Sequence, residues 1–311
     1  MVALRGAPDI GVGPLACWRP TARHELSLSI ALCAMTLAMA LLAGVLVPPA
    51  ALLFLTTSYV HALTTACDAW WMHRRFGTMF LRFMYAQLPW LIDKKMMHLD
   101  GKKKAIELAA ERPPHGAVAF VGSSTFTYWR HLERDMEAAG VSVPCFNAAF
   151  GGSWTKHVLA YAAELCTNWR PRAVVYYCGT NDLNCGASEP GLSEVDSAVR
   201  GFIDFHRALH EALPGTPVVY VAPTVTPFVA ARGAELVAKF DEVKSGIRRY
   251  AAHACRERPD SLIVVDSRGE DFASDLRFYL GDDHHLNDEG HVRLAALIAP
   301  ALLRALQAGK R

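Results

Sequence analysis

The sequence predicts an α/β protein: a flavodoxin-like doubly wound sheet of five parallel strands, preceded by N-terminal transmembrane helices. Three observations predict it. After about residue 104, short runs rich in β-branched residues alternate with amphipathic stretches of helical spacing. These runs are apolar throughout, as in strands covered by helices on both faces of a parallel sheet. Before them lie two long apolar stretches of quite different composition.

The first stretch, Leu26 to Val47, carries no charged residue. As a helix it is long enough to cross roughly 30 Å of hydrocarbon. Pro48 and Pro49 end it. A second uncharged run, Ala50 to Cys67, is richer in Ser and Thr, whose hydroxyls bond back to a helix backbone. Trp70 and Trp71 follow at the position of an interfacial aromatic belt, then Arg74 and Arg75. Two arrangements fit: a hairpin with the prolines at its turn, or a single span. Arg5, Arg19 and Arg23 before the runs and Arg74, Arg75 and Arg82 after them favour the hairpin, with both ends in the cytoplasm. A cleaved signal peptide fits less well, because the apolar core is long and no A-x-A-like site closes it.

Residues 76–92 place Phe76, Phe80, Phe83, Met84, Leu88 and Leu91 at helical spacing, for a core-packing helix or one lying in the membrane interface. Lys94, Lys95, Lys102, Lys103 and Lys104 come next, either a solvated face or a contact with anionic lipid.

The strand candidates are 117–122, 141–147, 173–179, 217–223 and 262–267. The helical stretches are about 125–139, 153–168, 191–213, 229–257 and 288–307. In such a sheet ligands bind beyond the carboxyl ends of the strands, and the residues there are informative. The first strand ends at Gly122-Ser123-Ser124, the second leads to Gly151 and Gly152, and the third to Asn181 and Asp182. After the fifth come Asp282, Asp283, His284 and His285. A nucleophile, a base with an orienting carboxylate, and oxyanion donors are the parts that acyl transfer needs. Each has a plainer reading. Ser124 suits the N-cap of a helix opening at Thr125. The glycines suit tight turns, and Asn181 and Asp182 are ordinary turn residues. The Asp-Asp-His-His run also suits a metal site.

Taken in order, these segments resemble the SGNH (GDSL-like) hydrolase family, from about Ala117 to His291. FVGSST matches its first block, NAAFGGS its second, GTND its third and DDHHLN its last. The resemblance implies the SGNH hydrolase fold and a serine esterase or lipase-like hydrolase that cleaves carboxylic esters through an acyl-serine; the N-terminal hundred residues with their membrane anchor lie outside it. It implies Ser124 as nucleophile, His285 as general base and Asp282 as its orienter. The N–H groups of Ser124 and Gly152 and the Asn181 amide would form the oxyanion hole. It implies no cofactor and no metal. One position departs from the pattern: the family's aspartate between glycine and serine is Ser123 here. Only His285 has an aspartate three residues before it, so His284 is expected to line the rim or pack.

The domains then read as a tail (1–25), a transmembrane hairpin (26–72, with spans at about 26–47 and 50–71), an amphipathic and basic linker (73–104) and the hydrolase domain (105–311). The anchor points to an acyl lipid or another ester delivered by a membrane, and to the inner or cytoplasmic membrane. Phe126, Tyr128, Trp129, Phe150 and Trp154 flank the motifs, as lining of an acyl pocket or, more commonly, as core. An acyltransferase or a carbohydrate O-acetyl esterase would use the same residues, and a non-catalytic membrane scaffold on the same fold is the reading from another class.

Composition excludes other classes. The chain is 52% hydrophobic and 20% charged, outside the range of disordered chains. Its net charge of +2 is spread along the sequence, which gives no concentrated basic face for nucleic acid. The eight cysteines form no CxxC pair, and several sit in apolar runs, where a free thiol behaves as a small hydrophobe. That usage favours a reducing compartment over a disulfide framework.

Overall fold

The computed structural model describes residues 99–186, 189–256, 259–267 and 275–308. The apolar runs at 26–47 and 50–71, and the linker up to residue 98, lie outside the described residues. Among the described residues no helix is long and apolar enough to cross a membrane.

Five parallel strands form one sheet: β1 (Val118–Gly122), β2 (Cys145–Asn147), β3 (Ala173–Tyr177), β4 (Val218–Val221) and β5 (Leu262–Val265). Their order is β2-β1-β3-β4-β5, the flavodoxin-like arrangement expected from the sequence. Every residue of β1, β3 and β4 is buried. Period-two alternation sorts their side chains between two cores. Ala119, Val121, Val174 and Tyr176 face one, and Val118, Phe120, Val175 and Tyr177 face the other.

The first core lies under α4 (Thr155–Ala160), α7 (Glu194–Ala212) and α9 (Ala234–Ala254), and includes Val158, Phe202 and Phe240. The second lies under α3 (Leu132–Ala138) and the C-terminal helix α10 (Asp288–Ala308), and includes Met136 and Leu294. Short helices fill the strand ends: α2 (Ser124–Thr127), α5 (Ala162–Leu165), α6 (Thr180–Asn184) and α8 (Pro227–Ala230). The stretches expected as single helices at 125–139 and 153–168 are each broken, the first at Tyr128–His131 and the second at Tyr161.

Before the sheet, α1 (Gly101–Glu111) carries Lys102, Lys103 and Lys104 on a helix whose Leu108 joins the first core. Lys104 and Lys103 lie 3.3 and 3.9 Å from Glu107, one helical turn on. Such pairs add only tenths of a kcal/mol, so burial of Leu108 holds the helix in place. The helix runs through position 105, where the hydrolase domain was expected to begin.

The cysteines at 145, 166, 178, 185 and 255 are free thiols. Burial pushes Cys145, Cys166 and Cys185 up to about 12, so these thiols stay protonated and pack as small apolar groups.

Candidate active site

The site is built on the carboxyl ends of β1, β2 and β3 and on the turn before α10. At the end of β1, Gly122 has φ 157°, and a Cβ there would collide with the carbonyl oxygen of Tyr177 on β3. Only glycine permits this approach. The close pairing continues one residue further, where the Ser123 N–H donates to the Tyr177 carbonyl at 3.1 Å. Ser123, extended and almost wholly buried, occupies the N-cap position of α2, but its side chain makes no cap bond. Ser124 is therefore the first helical residue of α2, not the cap of a helix opening at Thr125. The first amides of a helix have no intrahelical acceptor, and the Ser124 N–H is one of these.

The turn that carries the histidine is held from both sides. The His285 carbonyl accepts the Leu280 N–H at 2.7 Å, and an isolated bridge pairs Tyr279 with Leu286. Asn287 caps α10 by accepting the Gly290 N–H at 2.9 Å, and Asp288 and Glu289 suit the positive end of that helix. Within the turn Asp283 takes a left-handed φ of 57°, which aspartate tolerates. Asp282 points inward with 0% exposure. Its Oδ1 accepts the N–H groups of His284 and His285 at 2.9 and 2.8 Å. Its Oδ2 lies 2.7 Å from His285 Nδ1.

On the other side of the imidazole, His285 Nε2 lies 2.8 Å from Ser124 Oγ. The carboxylate can only accept, so Nδ1 carries the ring proton and Nε2 is left to accept from the serine. All three side chains are buried or nearly so, which keeps water from competing for these bonds.

The loop after β2 flanks Ser124. Gly152 has φ 74°, a conformation that favours glycine, and its neighbour Gly151 has its Cβ position 4.0 Å from Ser124 Cβ. Asn181, buried in α6, donates from Nδ2 to the Ser153 carbonyl at 3.0 Å. Ser153 Oγ in turn donates to the Gly122 carbonyl at 3.1 Å. The loops after β1, β2 and β3 are thus tied through one buried serine. The structure puts Ser124, His285 and Asp282 in direct contact, and ties Asn181 to Ser153, the residue after Gly152.

His284 packs, as expected. Its Nδ1 is 2.9 Å from the Thr226 hydroxyl, and its ring sits edge-on to Phe228 with centroids 5.2 Å apart. Of the five flanking aromatics, Phe126, Trp129, Phe150 and Trp154 are core. Tyr128 alone of these is half-buried, with its ring centroid 4.8 Å from that of His285. It follows Ser124 by four positions, the spacing that places two residues on one helical face. That signal was present in the sequence. The role of Asp182 was not visible there. Far from being an ordinary turn residue, it is buried and accepts the Thr155 hydroxyl at 2.6 Å. Burial pushes its carboxyl up to about 6, against the lowering effect of the Thr155 bonds. Among the described residues no three His, Cys, Asp or Glu side chains gather as a metal-ligand set.

The model of the GDSL-like lipase/acylhydrolase family matches residues 117–293. The chain belongs to that family. No curated protein matches it in sequence. Solved structures share the fold of this GDSL-like acylhydrolase domain. One, provisionally described as an acylhydrolase, comes from Bacteroides fragilis; it is 18% identical, with a TM-score of 0.52, over 68% of this chain and 98% of its own. Another, provisionally described as a platelet activating factor, comes from Streptococcus pneumonia; it is 15% identical, with a TM-score of 0.53, over 68% of this chain and 95% of its own. Ser123, where the family resemblance gave an aspartate, is almost wholly buried in this GDSL-like acylhydrolase domain.

Proposed function

We propose that this chain is a membrane-anchored serine esterase of lipase-like character, cleaving carboxylic esters through an acyl-serine. The observation that carries the reading is the continuous line Ser124 Oγ, His285 Nε2, His285 Nδ1, Asp282 Oδ2, with contacts of 2.8 and 2.7 Å. In this reading His285 Nε2 takes the Ser124 proton as Oγ attacks the carbonyl carbon. The carbonyl π bond moves to oxygen, and that oxyanion is held by the N–H groups of Ser124 and Gly152 and by Asn181 Nδ2. Collapse breaks the bond to the leaving oxygen, which takes the proton from His285. Water then gives a proton to His285 as it attacks the acyl-serine, and a second collapse returns that proton to Ser124. Asp282 stabilises the imidazolium in both halves without taking its proton.

The preferred substrate is an acyl lipid or another ester held at a membrane surface. The uncharged runs at 26–47 and 50–71 support an anchor, and Tyr128 beside His285 supplies an apolar edge for an acyl or alcohol group. Arginines on both flanks of the runs support a cytoplasmic catalytic domain at the inner membrane.

The test is hydrolysis of short-chain p-nitrophenyl esters together with a fluorophosphonate label mapped by mass spectrometry. The label is expected on Ser124. Hydrolysis that survives Ser124→Ala and His285→Ala unchanged would refute the mechanism. A reporter fused after Arg311 tests the anchor, since an extracytoplasmic signal would reverse the assigned side.

A further inference from the structure

The C-terminal ends of α7 and α9 meet beside Ser261, which precedes β5. This is the amino edge of the sheet, opposite the carboxyl edge that carries Ser124. A cavity of about 570 Å³ opens there, lined by His206, Arg207 and His210 of α7, by Tyr250 and His253 of α9, and by Arg256 just beyond. Among the described residues no carboxylate lines it. His210 and His253 suit the last turns of their helices, where a positive charge complements the carbonyl ends.

That account does not reach His206. It is only 5% exposed, and its Nε2 has no hydrogen-bond partner among the described residues. Its Nδ1 lies 3.0 Å from the Tyr250 hydroxyl. His206 thus brings to the cavity lining a ring with one nitrogen unpaired among the described residues. Arg207 lies 3.5 Å from Asp204 and is largely exposed.

We propose that this cavity binds a small phosphate-bearing anion. Two guanidiniums and an imidazole with an unpaired nitrogen line it, with no described carboxylate, which suits an oxyanion that only accepts. The volume exceeds that of a phosphate alone and lies in the range of small-molecule sites, so the ligand is an organic phosphate with part of its body against Ala254 and the histidine rings. The phosphate belongs to a free metabolite or to a lipid headgroup; the chemistry of recognition is the same.

Calorimetry on the full chain with glycerol 3-phosphate, and sedimentation with phosphatidylcholine vesicles with and without phosphatidic acid, test the site. Saturable binding is expected. Arg207→Gln and Arg256→Gln, both at exposed positions, should each weaken it about tenfold or more, and His206→Phe should do the same. Ester hydrolysis should be unchanged in all three variants. Binding confined to phosphatidic acid vesicles, with the same arginine dependence, would assign the lipid headgroup as the source. Absence of saturable binding to both probes, or affinity unchanged in Arg207→Gln and Arg256→Gln, would overturn the proposal.

Discussion

The hydroxyl of Thr155 donates to the buried carboxylate of Asp182 at 2.6 Å, and the Thr155 N–H reaches both oxygens at 3.1 and 3.2 Å. This joins the start of α4 to α6, and so fixes the loop that carries Gly152 against the helix that carries Asn181. Thr155→Val keeps the shape but removes a donor from a buried acid. It should cost about 1–3 kcal/mol of stability, measured by denaturant unfolding, and lower kcat more than it raises KM. Thr155→Ser should restore both.

His285 bridges Ser124 and Asp282, so the three residues act as a unit. Ser124→Ala and His285→Ala should each lower kcat by on the order of 10⁴ or more, and the double variant should lose little beyond either one. Asp282→Asn retains the shape but presents an N–H donor where the imidazole N–H needs an acceptor. It should cost on the order of 10³–10⁴ in kcat. Steady-state ester kinetics on the four variants checks these values; multiplicative losses in the double variant would count against a common step.

Asn181 reaches the rim from α6 with one amide proton given to the Ser153 carbonyl. In the proposed mechanism this amide donates to the oxyanion. Asn181→Ala should lower kcat on the order of 10²–10³ with KM nearly unchanged. A change confined to KM would place Asn181 in substrate binding alone.

His291 stacks on Trp129 with centroids 5.3 Å apart, and its Nε2 lies 2.9 Å from the Thr125 carbonyl. Burial pulls its pKa down to about 4. Between about pH 6.5 and 4 the unfolded chain therefore binds the proton that the native ring refuses, and stability falls on acidification. Asp182 has the opposite slope between about pH 4 and 6, because its native carboxyl keeps a proton the unfolded chain has released. The variant isolates the histidine. Comparing unfolding free energies at pH 7 and pH 5, His291→Phe should lose less stability than the parent by about 2 kcal/mol.

Much of this protein was legible locally. Apolar runs set the strands, and the rule for parallel sheets sent Ser124, Gly152, Asn181 and the Asp282–His285 turn to one edge. What sequence reading blurred were features decided by neighbours. The helix at Gly101–Glu111 looked like a basic linker, because Leu108 is its one large side chain in the core. Phe126, Tyr128 and Trp129 look alike in sequence, yet only Tyr128 turns toward His285.

The sequence by itself determined the strand order of chemistry: which residue types leave which strand, and that His285, not His284, has an aspartate three residues before it. These are local matters of periodicity and spacing. Only the tertiary structure decided that His285 meets Ser124 across 161 positions of chain, that Asp182 is a buried tie to Thr155, and that His206 and Tyr250 close one wall of a cavity. Contacts at such separations depend on how two helical layers pack on the sheet, and no local preference encodes them.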